Sequence, residues 1–417
     1  MSAPARPGPT ALLATGCGTA VASVCALGLV QIQRSLAGPW AVAAVVAAGG
    51  ACAVLARTFG RLNEVVPSGA GLPAYLSRAF GRRVGLRLAL PYLFLMIALA
   101  GIETRIVGTL LGAVLGVPAW TCGLAFLLVT WGVCRLGVRP GYRAQVVATA
   151  ALMVLLAGAA LLAVAGALRD GRATDLVRVA PPPLAVFLAA VGQAFFLFMG
   201  FELVTSHVEV AGSARPVGVA LRRSVVVLTG FYGLLVAGFA AMPAVTSPAS
   251  WLTPQVTMAA ATGGALGVAA VTVACLLASY TSFNGALLAL SRLVQVLSSQ
   301  GVFPRGLARV DPQRLVPARA LDALTVLAAV AAVLLSGHAA TLVVLGAAAG
   351  AATLMYASAL WARERAPFRE AGRSRLARLA SATLAAALLL LGSGAVIEAA
   401  LTVSSRAAAA SGGTHGR

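Results

Sequence analysis

A chain of 417 residues is long enough for two or three soluble domains, but 60% of it is hydrophobic and only 10% charged, which excludes a soluble, secreted or fibrous protein. The formal net charge of +20 rests on 31 basic residues, all of them arginine, and their placement along the chain argues against a single nucleic-acid-binding face. Apolar stretches able to cross ~30 Å of hydrocarbon at ~1.5 Å per residue fill most of the length, so the chain reads as an all-α, polytopic membrane protein.

In chain order the spans are Thr10–Gln31, Pro39–Ala56, Leu88–Leu115, Pro118–Gly137, Ala144–Leu168, Leu184–Val208, Ser224–Thr246, Gly263–Leu290, Ala318–Leu335, Ala339–Trp361 and Leu379–Val403, eleven in all. With the amino terminus inside, 24 arginines fall in internal segments and 6 in external ones, while Arg105 lies within a span. That asymmetry places the amino terminus in the cytoplasm and the carboxyl terminus outside a bacterial-type plasma membrane. The internal arginines are expected to meet anionic headgroups of membrane lipids. Among the loop acids, Glu64, Glu209 and Asp311 read either as surface charge or as parts of an intracellular gate.

The six cysteines lie in or beside spans without CxxC spacing and read as small packing residues. The first apolar stretch lacks a cleavage site and reads as the first helix, and the small polar tail Ala407–Arg417 reads as disordered. No HExxH, nucleotide-binding loop, acidic metal cluster or Ser/His/Asp arrangement is present. No enzymatic activity, catalytic residue, cofactor, metal or nucleic-acid partner is therefore expected.

Two glycine-containing clusters interrupt spans at corresponding places, Thr15–Thr19 in span one and Phe198–Glu202 in span six. Paired interruptions of this kind point to a transporter site built from discontinuous helices, although close helix packing through small residues explains them equally well. The spacing of Gly108, Gly112 and Gly116 in span three suits such packing. A broken helix offers free N–H groups at one end and free carbonyls at the other, so it can hold a zwitterion. A carboxylate would sit near Gly16, Cys17 and Gly18, and an ammonium near the carbonyls of Phe198, Met199 and Gly200.

Few ionisable groups lie inside spans, and each should face protein or a water-filled cavity. Glu202 follows the second interruption and reads either as a carboxylate that exchanges a proton during the cycle or as a fixed hydrogen-bond clamp. Glu103 and Arg105, two residues apart, point to different sides of their helix. One of the two should face the pathway, and pairing of Glu103 with another helix is one reading of it. His207 reads as an interface residue at the end of span six, and Glu398 as a packing or interfacial residue of span eleven. The polar run Ser279–Asn284 either lines a pathway or bonds neighbouring helices.

Several ordered motifs then resemble the amino acid–polyamine–organocation permease superfamily. They are Leu62–Gly71 with Tyr75 and Arg78–Gly81 after span two, and Gly137 with Arg143–Gln145 before span five. Gly200–Glu202 with Glu209 and Ala214–Pro216 mark span six, and Ser291–Arg292 with Gly301–Pro304 and Val316–Pro317 follow span eight. The resemblance implies a leucine-transporter-like fold of five-plus-five inverted repeats, residues 10–168 and 184–361, with an additional helix at 379–403. It implies that Gly16, Cys17, Gly18 and Thr19 form one unwound segment and Phe198, Met199, Gly200 and Phe201 another. Together with Glu103, these would bind the substrate, and Phe196 would form an aromatic gate over it or serve as an ordinary packing residue. The span-five lysine through which some relatives couple to protons is absent, since the chain has no lysine.

The function expected from this resemblance is secondary active transport or exchange of amino acids or related amines by alternating access, with a coupling proton or counter-substrate. The alternative is a transporter-like receptor or partner subunit that binds without transport.

Overall fold

The computed structural model describes residues 7–36, 38–171, 180–242, 253–335, 337–369, 374–375 and 378–388. Among them every regular element is a helix. In chain order these are α1 (Pro9–Ala20), α2 (Cys25–Ser35), α3 (Pro39–Val65), α4 (Leu72–Phe80), α5 (Arg82–Leu115), α6 (Ala119–Arg135) and α7 (Val138–Arg169). Then come α8 (Leu184–Leu197), a 3₁₀ segment (Phe201–His207), α9 (Val208–Ala211), α10 (Ala214–Ala241), α11 (Pro254–Ser299), a second 3₁₀ segment (Arg305–Ala308), α12 (Ala318–Leu334), α13 (His338–Ala362) and α14 (Arg378–Leu388).

Local chemistry sets several of these boundaries. Pro9, Pro39 and Pro254 stand in the first helical turn, where the missing N–H costs nothing. Helix α11 is interrupted at Gly264, whose backbone (φ 54°, ψ −142°) is one that only glycine adopts without strain. Among the described residues the first ten expected spans fall on helices, the first on the bent pair α1 and α2 and the sixth on α8 with the 3₁₀ segment and α9. Seven are long and apolar enough to cross a membrane, and α1 with α2, bent by 61°, make an eighth as one broken span. Helices α6 and α12, 17 residues each, reach about 25 Å and so fall short of a full crossing. Most of the expected last helix, with Glu398 and the tail 407–417, lies outside the described residues.

The distribution of side chains is that of a protein whose solvent is lipid. Large apolar residues stand outward, among them Leu162 (75% exposed), Leu184 (72%) and Val226 (71%), while Asn63, Gln145, Ser279 and Asn284 are fully buried.

The chain forms two compact units. The first comprises Met1–Gly71 and Glu103–Val326, the second Leu72–Ile102 and Leu327–Arg417. In the second, α4 packs along α13, and the Arg365 guanidinium lies 5.0 Å from the centre of the Phe80 ring. In the first, α10 packs along α3 and α7, and α1 is held among α7, α10 and α11. The groups described below all belong to the first unit.

Candidate functional site: two broken spans closed by internal carboxylates

Span one breaks over Val21–Val24, and each N–H there can be followed to its acceptor. Val21 and Ala22 donate to the carbonyls of Cys17 (3.0 Å) and Ala20 (3.1 Å), and Cys25 donates to Ala22 (3.0 Å). The N–H groups of Ser23 and Val24 instead donate to the carboxylate of Glu103, at 2.7 and 3.1 Å, across 80 and 79 residues of sequence. Ser279 adds its hydroxyl to the same carboxylate at 2.6 Å, and Ser23 Oγ lies 2.6 Å from the Cys275 carbonyl and 2.8 Å from Ser279 Oγ. A buried carboxylate thus sits on the positive end of α2, in the place an external anion would need.

Span six breaks at Phe198–Gly200 and continues as a 3₁₀ turn. Phe198, Met199 and Phe201 keep backbone acceptors, whereas the N–H of Gly200 donates to Glu202 Oε2 at 2.9 Å. Glu202 is fully buried, and the bond joins it to the backbone of the break itself. Gly200 has φ 109° and approaches the end of α1 so closely that a Cβ would stand 2.9 Å from the Thr19 carbonyl oxygen. The second break therefore touches the last turn of α1, just before the first break.

One side chain serves the carbonyl ends of both. The hydroxyl of Tyr232, on α10, lies 3.0 Å from the Ala20 carbonyl and 2.7 Å from the Leu197 carbonyl, the last residues of α1 and α8. Its ring stacks edge-on against Phe198 at 5.5 Å. Tyr232→Phe removes this shared donor while keeping the ring, and is expected to cost about 1–2 kcal/mol in thermal or denaturant unfolding. An unchanged midpoint would show that the two helix ends do not depend on it.

Beside the first break lies a cavity of about 70 Å³. Segment Val21–Leu29 forms one wall, with α7, α10 and α11 forming the others. No residue of the second break lines it; Tyr232, which bonds to both breaks, does.

A separate cluster ties the connection after α3 to the ends of spans six and eight. Glu209 Oε1 accepts the N–H of Gly69 at 2.8 Å, its Oε2 is 3.9 Å from Arg292 Nη1, and Arg292 Nη2 donates to the Leu315 carbonyl at 2.9 Å. Of the three loop acids considered for a gate, Glu209 is the one bonded between elements. Glu64 pairs at 3.5 Å with Arg61 one turn away, an exposed contact of little energetic weight. Asp311 accepts the N–H groups of Gln313 and Arg314, and the Arg314 and Gln313 amides hold its carboxyl below the usual carboxylate range.

The family model for amino acid permeases matches residues 14–409. The chain belongs to the amino acid permease family. No curated protein sequence matches it. The permease is similar in fold to a nucleobase-cation-symport-1 family transporter, MHP1, solved closed with bromovinylhydantoin bound, at 16% identity and TM-score 0.61 over 95% of this chain and 94% of that one. It is also similar to the Eremococcus coleocola manganese transporter (14%, TM-score 0.60, 92% and 84% covered). A third likeness is to a Na+-coupled sialic acid symporter in a substrate-bound outward-open state (13%, TM-score 0.56, 95% and 90% covered). Its fold is therefore of the leucine-transporter type, as the sequence motifs implied, and its family places it among transporters.

In the permease the second unwound segment lies where it was expected, at Phe198, Met199 and Gly200, with Phe201 beginning the 3₁₀ turn. The first does not. Gly16, Cys17, Gly18 and Thr19 are all helical within α1, and the break begins after them. The two glycines are contact residues instead: Gly16 faces Ser224, and Gly18 faces Thr149, Gln145 and Thr281. Gly108 and Gly112, read as packing residues, do meet Ala119 and Val117.

Phe196 is half-buried and packs edge-on against its neighbour Phe195. His207, read as an interface residue, is buried, with Nδ1 2.6 Å from the Tyr142 hydroxyl. The polar run of span eight bonds its neighbours: Ser279 reaches Glu103, and Asn284 donates to Gln145 Oε1 at 2.7 Å and to the Gly141 carbonyl at 3.1 Å. Tyr232 was not singled out by sequence, because an isolated tyrosine in an apolar run carries no spacing signal.

Proposed function

We propose that the permease is a secondary active transporter or exchanger of amino acids or related amines, working by alternating access in a bacterial-type plasma membrane. Its amino terminus is cytoplasmic and its carboxyl terminus external, and residues 10–168 and 184–361 form its two inverted repeats. The observation that carries this reading is the contact of the second mid-span break, at Gly200, with Thr19 in the last helical turn before the first. Broken spans held by side chains rather than by a continuous ladder are elements with two arrangements, which is what a rocking site requires.

In this reading Thr19, Phe198, Met199, Gly200 and Phe201 face the solute at the meeting point, with Phe196 on the gate side and Glu103 opposite the amine. Gly16, Cys17 and Gly18 contribute the close helix crossings that hold α1 beside them. Glu202 is the candidate for coupling or gating, because the Gly200 N–H it holds belongs to the break itself. The Glu209 and Arg292 cluster is the candidate inner gate.

Uptake of radiolabelled amino acids and polyamines by proteoliposomes, under imposed proton or sodium gradients, separates a transporter from a receptor that only binds. Gradient-driven uptake is expected, with a pH dependence that is lost or displaced in Glu202→Gln. Saturable binding without uptake would favour the receptor. An unchanged pH profile in an active Glu202→Gln protein would remove Glu202 from the coupling step.

A further inference from the structure

One fully buried side-chain amide joins three helices on the near side of the first break. Gln145, close to the start of α7, donates through Nε2 to the Thr281 carbonyl of α11 at 3.1 Å and to the Ala14 carbonyl of α1 at 3.4 Å. Its Oε1 accepts Asn284 Nδ2 at 2.7 Å, and Asn284 in turn donates to the Gly141 carbonyl and accepts the Cys134 thiol at 3.3 Å. The orientation of the Gln145 amide is therefore fixed by its surroundings, since its nitrogen faces two carbonyls and its oxygen faces a nitrogen. No donor of the two amides is left over.

Thr149, one turn further along α7, adds its hydroxyl to the same Ala14 carbonyl at 3.2 Å. The sequence makes room for both at Gly18, whose N–H is the ladder partner of Ala14: a Cβ there would collide with Thr149 Oγ1 and stand 2.9 Å from Thr281 Cβ. Gly18 is thus the seat of the contact.

The amide links helices without being part of their ladders. The Ala14 and Thr281 carbonyls both lie inside helices and take ladder bonds of their own, so α1 and α11 stay intact without Gln145. All the groups are neutral, so parting them exchanges hydrogen bonds for hydration without baring a charge. Helix α1 ends where the chain bends by 61°, and its ladder does not run on into α2. Tyr232 and Ser282 hold α1 at that end, on the Ala20 and Thr19 carbonyls. A helix that pivots at its break moves least there and more at Ala14, so the Gln145 tie is the one a swing must part.

We propose that Gln145 is the catch that holds α1 shut against α7 and α11, a positioning residue whose amide leaves the Ala14 carbonyl when α1 swings about the break. This deepens the transport reading by naming what α1 must release. It rests on that reading for the place of the swing in the cycle, not for the contact itself.

The test is the rate at which MTSET, a small charged thiol reagent, modifies the full-length protein in lipid nanodiscs. Thr149→Cys as the sole cysteine reports from beneath α1, and Cys52 as the sole cysteine, fully buried on α3 and outside the contact, reports on the fold at large. Gln145→Met, which keeps the length and removes both donors, should speed modification at Thr149→Cys by about tenfold or more and leave Cys52 unchanged. Gly18→Ala, which pushes α1 off its seat without altering Gln145, should do the same, and it decides the matter if Gln145→Met does not fold. The assignment is overturned if Gln145→Met folds and leaves the rate at Thr149→Cys unchanged. It is equally overturned if Cys52 becomes reactive in parallel, since the amide would then only support the fold. Proteoliposome uptake is a separate readout: a protein that moves no solute but shows the selective rise keeps Gln145 as the catch and removes the transport reading. Concentrative uptake with no rise does the reverse.

Discussion

Gly200→Ala is expected to abolish transport and to lower stability by about 1–3 kcal/mol. Two separate causes act at this residue. Its φ of 109° is a conformation that side chains with a Cβ rarely adopt, and the added Cβ would stand 2.9 Å from the Thr19 carbonyl oxygen and 3.4 Å from the Ala20 Cα. Both of those atoms are backbone, so no side chain can swing aside, and relief requires that the second break and the end of α1 separate. Gly264 provides the control, since it also has positive φ (54°) but nothing lies within 4 Å of its would-be Cβ. Gly264→Ala should therefore show the conformational penalty alone, about 1–3 kcal/mol, and retain uptake. Thermal unfolding and proteoliposome uptake of the two variants separate the causes. A Gly200→Ala protein that transports like the wild type would show that the close approach of the second break to the end of α1 is dispensable.

The second large effect is expected at Glu103. Glu103→Ala strands the N–H groups of Ser23 and Val24 and the hydroxyl of Ser279 in a buried place, at a cost of about 3 kcal/mol or more. Glu103→Gln keeps the shape and one acceptor, but it removes the negative charge from the positive end of α2 and turns one of its arms into a donor facing donors. The expected order of stability is wild type, then Glu103→Gln, then Glu103→Ala, read as unfolding midpoints in one detergent. Glu103→Ala matching the wild type would mean that water, not this carboxylate, satisfies the break.

These two positions also show what the sequence could disclose. The spans were legible because a membrane sets their length and excludes polar residues from their outer faces, and the break of span six because a glycine-containing cluster, Phe198–Glu202, interrupts an apolar run. The break of span one was misplaced by about a turn. Gly16 and Gly18 look like points of weakness, yet in α1 they are points of close contact with Ser224, Thr149 and Thr281. The true break, Val21–Val24, contains two valines and no glycine, and its stability depends on a partner 80 residues away. A long-range acceptor of that kind leaves no local signature. For the same reason Glu103 was legible as important but not as the cap of a helix end, and the shared role of Tyr232 was not legible at all.

Concentrative uptake tests the central claim most directly: purified permease in sealed proteoliposomes, a labelled amino acid or amine outside, and an opposing gradient of proton, sodium or unlabelled counter-substrate. The account predicts that the solute rises transiently above its equilibrium distribution and falls when the driving gradient is collapsed. Entry that never exceeds equilibrium under any of these gradients, or binding with no entry, would contradict it.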